Sequence, residues 1–328
     1  MLINNHSYTF FLAPMAEVST PALRKVIKQF CGEVVLYSEM LASGAINAKA
    51  PHNEPLVQRY DFDTPFFYQI VGNNPAIMAN AASILQDYGC DGIDINMACS
   101  APHIVKAGCG AQLLVDIHHA RDIVKSCRKA VKNLLTVKMR AGYHDIDINY
   151  LKQFIVMLQD EGVNAITLHP RAAKWGFSRS AKWDVIDEIV KHAVIPIIGN
   201  GDITTPQLAM QRLHQTRCAG IMIGRVAVQQ PWIFALCNAL YNNNPLTVTI
   251  DHAALWIDVL TNIQTMLPQK LHKSRAHRFC FYFAKNCTFG HELFTTIRKL
   301  SSIDDIIATI NNYYMRNPME QYKHYGIP

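Results

Sequence analysis

The chain has little charge and no long apolar run. Asp, Glu, Lys and Arg make up 17% of its 328 residues and form no like-charge or low-complexity block, which argues against extended disorder. No apolar stretch approaches the ~18 residues that a membrane-spanning helix needs. Met1 to Tyr8 lacks the basic start and apolar stretch of a secretion signal, so a cytoplasmic protein without a membrane partner is expected. Cysteine is present but unpatterned. The nine cysteines are odd in number and contain no Cys-x-x-Cys pair, which argues against a disulfide framework or a zinc ribbon. Cys90, Cys99, His103 and Cys109 match no closed metal-site spacing, and no metal is expected.

What is there is enough apolar material for a large core, since half of the residues are hydrophobic. Short β-rich runs recur at 10–15, 34–40, 66–72, 92–97, 135–140, 165–169, 196–200 and 220–224, with amphipathic helical stretches such as 75–88, 118–131, 148–161 and 206–214 between them. Eight such alternations predict an α/β fold, a (β/α)8 TIM barrel, over 1–241. Asn242-Asn243-Asn244-Pro245 reads as a hinge, and 246–328 contains only helical patterns, at 251–266, 271–287, 292–300 and 303–314. A small all-helical C-terminal domain is therefore expected.

A barrel concentrates its chemistry at the C-terminal ends of its strands. Those ends carry, in order, Pro14-Met15, Ser38-Glu39, Gln69, Asn96 with Cys99, Lys138 with Arg140, His169 with Arg171, Asn200-Gly201-Asp202, and Gly224-Arg225. Glycines and Arg225 after strands seven and eight suit a phosphate, because backbone amides can approach it and the guanidinium can neutralise it. Lys138, His169 and Gln69 would then meet the head group of a phosphorylated cofactor. A flavin suits this set, since a cation beside N1 and O2 stabilises the reduced ring, but pyridoxal phosphate also wants a lysine and a phosphate corner. Cys99, at the mouth of a strand and beside the glycine-rich Gly108-Cys109-Gly110-Ala111, is the candidate reactive thiol.

The net charge of +6 points to a polyanionic partner. Lys270, Lys273, Arg275, Arg278 and Lys285 occur without an intervening acid and alternate with His272, His277, Phe279, Phe281, Tyr282 and Phe283; Arg121, Lys125, Arg128, Lys129 and Lys132 form a second basic set. With a separate C-terminal segment, nucleic acid is the favoured partner.

Ala13-Pro14-Met15, Gln69-Ile70-Val71-Gly72, Asp94-Ile95-Asn96-x-x-Cys99, Val137-Lys138-Met139-Arg140-Ala141-Gly142, Leu168-His169-x-Arg171, Gly199-Asn200-Gly201-Asp202 and Ile223-Gly224-Arg225 together resemble the tRNA-dihydrouridine synthase family, in that family's order. Ser274-Arg275-Ala276-His277 is similar to the start of its helical RNA-binding domain. The resemblance implies an enzyme that binds FMN, takes hydride from NADPH and reduces the C5=C6 bond of a uridine in tRNA or another structured RNA. It implies Cys99 as general acid to C5. It implies FMN contacts from Pro14, Met15, Gln69, Lys138, His169, Asn200, Gly201, Asp202, Gly224 and Arg225, and substrate contacts from Asn96, Arg140, Arg171, Arg275 and Arg278. No obligatory protein partner is evident.

The pattern also departs from the family. Asn96-Met97-Ala98-Cys99-Ser100-Ala101-Pro102 stands where Asn-x-Gly-Cys-Pro-x-x-Lys/Arg is usual, with His103 or Lys106 able to replace the missing cation. Ala16-Glu17-Val18 stands where Gly-Val is common, and Pro170 and Ala172 replace the more frequent Gly and Thr around Arg171. A divergent member is expected. A small-molecule FMN-dependent reductase or dehydrogenase on the same barrel, or a catalytically weakened flavin-containing RNA-binding protein, are the alternatives.

Overall fold

A computed structural model describes residues 1–49, 54–176 and 178–327. Its centre is a closed barrel of eight parallel strands: β1 (Phe10–Leu12), β2 (Val34–Ala42), β3 (Phe66–Val71), β4 (Gly92–Met97), β5 (Leu134–Gly142), β6 (Ala165–Ala172), β7 (Ile197–Asn200) and β8 (Gly220–Ile223). Closure is set by Phe10, which pairs with Val34 on one side and Ile221 on the other. These strands are continuous apolar runs because both faces are covered. One face meets the surrounding helices in the large core, and the other fills the barrel with Phe11, Val35, Tyr37, Phe67, Ile198 and Met222. Met1 and Ile3, from an N-terminal hairpin of Leu2–Ile3 with His6–Ser7, join that inner core.

The crossover helices begin where the sequence supplies caps. Thr20, Asn74, Asp116, Asp147 and Thr205 each accept a first-turn backbone N–H, and Pro21, Pro75 and Pro206 follow their caps at the first helical position, where a missing N–H costs nothing. After β8 the chain runs through helices Arg225–Gln229 and Ile233–Tyr241.

The C-terminal segment holds helices His252–Met266, Gln269–Phe283, Gly290–Ile297 and Ile303–Arg316, close to the ranges expected from periodicity. It is not only helical. Leu246–Asp251 pairs antiparallel with Tyr322–Ile327, so a ribbon ties together the two ends of the segment. The alternation of Leu246, Val248 and Ile250 with Thr247 and Thr249 is the period-2 signal of this strand, and a purely helical reading passes over it. Tyr325 carries the ribbon onto Trp232, ring centroids 4.7 Å apart, and helix His252–Met266 packs on the first barrel helix, Pro21–Phe30, where Lys25 donates to Asn262 at 2.8 Å. Pro328, the last residue of the expected C-terminal unit, lies outside the described residues. Among the described residues no helix is long and apolar enough to cross a membrane.

Candidate active site

The C-terminal ends of the barrel strands open into a cavity of about 1100 Å³, large enough for a cofactor and part of a second ligand. Pro14, Met15, Gln69, Asn96, Cys99, Lys138, Arg140, His169, Arg171, Asn200, Gly201, Asp202, Gly224, Arg225 and Arg278 all line it. Of the expected site residues, Arg275 alone does not. A shallower depression of about 300 Å³, between Cys31 and Leu246, contains none of them.

The floor is a chain of hydrogen bonds. Thr136 Oγ1 and Gln69 Nε2 donate to the Asp94 carboxylate, each at 2.6 Å; Asn96 Nδ2 donates to Gln69 Oε1 at 2.8 Å; and Asn96 Oδ1 accepts from the N–H groups of Ala98 and Cys99 at 3.0 and 2.9 Å. Asn96 thus spends its carbonyl on the Cys99 loop and keeps a spare N–H for a ligand. Burial raises the Asp94 carboxyl to about 6, against the pull of Thr136, Gln69 and Lys138.

The Cys99 loop is held from three sides. Cys99 O accepts from Ala111 N at 2.9 Å, and Gly110, at φ 62°, comes so close to that carbonyl that a Cβ there would lie 2.6 Å from it. Arg140 donates from Nε to Ala98 O at 3.0 Å and from Nη1 to Ala172 O at 3.1 Å, bracing the loop against the end of β6. Cys99 and Cys109 are half-buried, whereas the other seven cysteines are buried. Pro102 opens a short helix, Pro102–Lys106, on which His103 and Lys106 are exposed.

Lys138 and His169 line one side of the cavity together. Burial lowers the Lys138 ammonium to about 8, with Asp94 opposing the shift. The His169 imidazole is driven far below its usual range, first by burial and then by Lys138, Arg140, Arg171 and Arg225. Arg171 Nη1 lies 3.1 Å from His169 Nε2. A guanidinium can only donate, so Nε2 accepts and the imidazole proton sits on Nδ1.

Arg171 Nη2 also meets both Asp202 oxygens, at 2.9 and 2.7 Å, and Ala181 N donates to Asp202 at 2.9 Å. Burial pushes the Asp202 carboxyl up, but these partners and Arg225, 3.4 Å away, outweigh it and hold it below the usual range. Gly201, at φ 130°, leaves room for His169, whose Cδ2 would lie 2.9 Å from an added Cβ. Asn200 Nδ2 bridges to Met222 O at 2.9 Å, joining β7 to β8 beside this corner.

The roof comes from helix Gln269–Phe283 and the turn after it. Arg278, Tyr282 and Lys285 line the cavity, and their spacing of four and three residues puts them on one face. Tyr282 and Lys285 are not among the site residues expected from sequence, although this spacing from Arg278 is available there. Met40, Thr204, Gln229 and Gln230 also line the cavity, and no motif marks them.

Arg275 is buried and faces the barrel. Its guanidinium meets Glu39 at 3.0 Å and Glu17 at 3.4 Å, and Arg278 Nε reaches Glu17 at 2.8 Å. Arg275, expected from the resemblance to contact substrate, is instead placed away from the cavity, with its charge spent joining the helical segment to the barrel. Glu17 has φ 64°, a left-handed conformation natural to glycine.

The sequence matches the family described as dihydrouridine synthase over residues 11–302. The chain belongs to the dihydrouridine synthase family. A probable tRNA-dihydrouridine synthase of Treponema pallidum is 31% identical over 285 residues, covering 83% of each chain. One of Rickettsia typhi is 36% identical over 231 residues, covering 70% of each. Among solved structures, the barrel is similar to a 2-naphthoyl-CoA reductase in complex with 2-naphthoyl-CoA, with a TM-score of 0.55 at 11% identity over 74% of this chain and 52% of that one. It is also similar to histamine dehydrogenase from Rhizobium sp. 4-9, with a TM-score of 0.53 at 13% identity over 77% and 48%. The family member spans about half the length of these two solved chains, and the likeness is one of fold.

Proposed function

We propose that the chain is an FMN-dependent reductase that converts uridine in tRNA to 5,6-dihydrouridine with NADPH as reductant. The observation that carries this reading is the meeting of Cys99, Lys138, His169 and Arg225 at one cavity roofed by Arg278, Tyr282 and Lys285, in a chain of this family. The residues present fit FMN. Gly201 and Gly224 line the phosphate corner without side chains of their own, Arg225 supplies charge there, and Lys138 supplies a buried cation for the ring. Gln69 has an N–H and a lone pair beyond those its neighbours use, and can both donate to and accept from the ring's polar edge.

FMN, when bound, supplies the hydride for C6 of the base after accepting one from NADPH. Cys99 supplies the proton at C5, and its loop is braced by Asn96, Arg140 and Ala111 so that the thiol keeps a fixed position. Asn96 offers its remaining N–H to a base carbonyl. A base stacked in folded RNA cannot reach this depth and must be flipped out; Tyr282 gives it a stacking surface at the entrance, and Arg278 and Lys285 hold the flanking phosphates. A tRNA substrate also agrees with a cytoplasmic protein.

The test is direct. Purified protein loaded with FMN is incubated with unmodified tRNA and NADPH, and dihydrouridine is mapped by mass spectrometry. Site-specific dihydrouridine is expected, with free uridine a far poorer substrate. Failure to retain FMN, or equal turnover of free uridine, would overturn the reading.

A further inference from the structure

Asp94 is fully buried in β4, beneath the cavity floor, and does not line the cavity. None of the chemistry above uses it. Yet it ends the hydrogen-bond chain that reaches the Cys99 loop. An ionised carboxylate can only accept, so Gln69 must turn its NH2 group toward Asp94 and its carbonyl toward Asn96. Asn96 must in turn donate to that carbonyl and point its own carbonyl at the N–H groups of Ala98 and Cys99. A side-chain amide has the same shape in both orientations, and only its partners select one. Here the carboxylate at one end and two backbone donors at the other demand the same direction.

We infer that Asp94 is a positioning residue that fixes the direction of the Gln69–Asn96 amide relay, and with it both the polar edge these amides present to the cavity and the seat of the Cys99 loop. The relay leaves one N–H of Gln69, one lone pair of Gln69 and one N–H of Asn96 for a ligand; reversing it would exchange donors for acceptors along the floor. The consequence for catalysis rests on the function proposed above, but the relay itself does not.

Acid and amide exchange tests the direction. In D94N the new amide can turn its carbonyl to Gln69 and its NH2 to Thr136 Oγ1, which accepts, so the direction survives. In N96D the new carboxylate faces the Gln69 carbonyl; reversing Gln69 relieves that contact only by turning the carbonyl onto Asp94. In D94N/N96D every group is satisfied with the relay reversed. Thr136 then donates to the new amide at position 94, that amide donates to Gln69, and Gln69 donates to the new carboxylate at position 96, which still accepts from the N–H groups of Ala98 and Cys99.

The full chain, as purified, is followed by thermal unfolding and by hydrogen exchange of the 97–100 segment. At pH 8 the thermal midpoint of D94N should stay within about 2 °C of the parent, while N96D should fall by roughly 5 °C or more. N96D should also exchange roughly tenfold faster at 97–100. Adding D94N to N96D should recover more than half of both losses. Acidification should narrow the gap between N96D and D94N/N96D, because protonated Asp94 becomes a donor in the first and is absent from the second. Lys138 and Tyr37 are the titratable groups facing Asp94, and Lys138 is also the register partner of position 96; both are common to N96D and the double variant, so their comparison cancels them. Parent-like behaviour of N96D, or a double variant no better than N96D, would overturn the inference. Neither measurement uses RNA or NADPH, so failure of the relay is distinct from failure of the uridine reading.

Discussion

Arg275 donates from Nη2 to Glu39 Oε2 at 3.0 Å, joining the helical segment to β2. Burial raises the Glu39 carboxyl and Arg275 is the main group opposing that rise. Loss of one partner leaves a buried charge without compensation, so R275M is expected to cost about 3–5 kcal/mol in chemical denaturation. Removing both charges in E39M/R275M should cost much less than R275M alone. A double variant as unstable as R275M would show that the pair does not act as a unit.

Cys99 sits on a braced loop at the cavity, which leads to a separation of half-reactions. C99A is expected to lower tRNA reduction by about 10²–10⁴-fold, the usual worth of a positioned acid, while NADPH-driven bleaching of the bound flavin stays at the parent rate. Stopped-flow absorbance follows the two halves separately. A parent rate of tRNA reduction in C99A would place the proton elsewhere.

The barrel is legible in the sequence because its strands are short, buried, mostly apolar runs that recur at regular intervals and lead into residues with chemistry. Lys138, His169 and Asn200 mark the C-terminal halves of their strands in local sequence alone. The pairing of Leu246–Asp251 with Tyr322–Ile327 is not legible, since its partners lie far apart in the chain and their cross-strand contacts exist only after the helices between them pack. Arg275 misleads for a related reason. A basic stripe shows which residues share a helix face, but Glu39 and Glu17 come from the barrel, and only docking reveals that they neutralise one end of it. Asn96 sits at the end of a strand and bonds the N–H groups two and three residues on, a local turn pattern that asparagine favours, but its bond to Gln69 exists only once β3 and β4 pair.

Arg278, Tyr282 and Lys285 provide a test of RNA docking apart from the barrel chemistry. K285A is expected to reduce the dependence of log affinity on log salt by roughly 0.7–0.9, the value of one phosphate contact, without altering flavin affinity. Y282A should cost about 1–3 kcal/mol of tRNA binding if a base stacks there. R275M should weaken binding with an unchanged salt slope, because its charge is already spent on Glu39. Filter binding over a salt series distinguishes the three, and an unaltered slope in K285A would remove Lys285 from the interface.

His169 makes stability depend on pH in a direction fixed by its depressed pKa. The folded protein keeps the imidazole neutral, through burial first and the surrounding cations second, whereas the unfolded chain binds a proton below about 6.5. The unfolded state therefore gains protons as the pH falls below that value, so the contribution is fully present above pH 6.5 and is lost progressively in acid. Asp94 acts in the opposite sense: its raised pKa favours proton uptake by the folded state between about 4 and 6. Because Asp94 is common to both proteins, the difference between the parent and H169N isolates the imidazole. Thermal midpoints at pH 8, 6.5 and 5 should fall more steeply toward acid for the parent than for H169N, and parallel curves would mean that His169 is protonated in the folded protein.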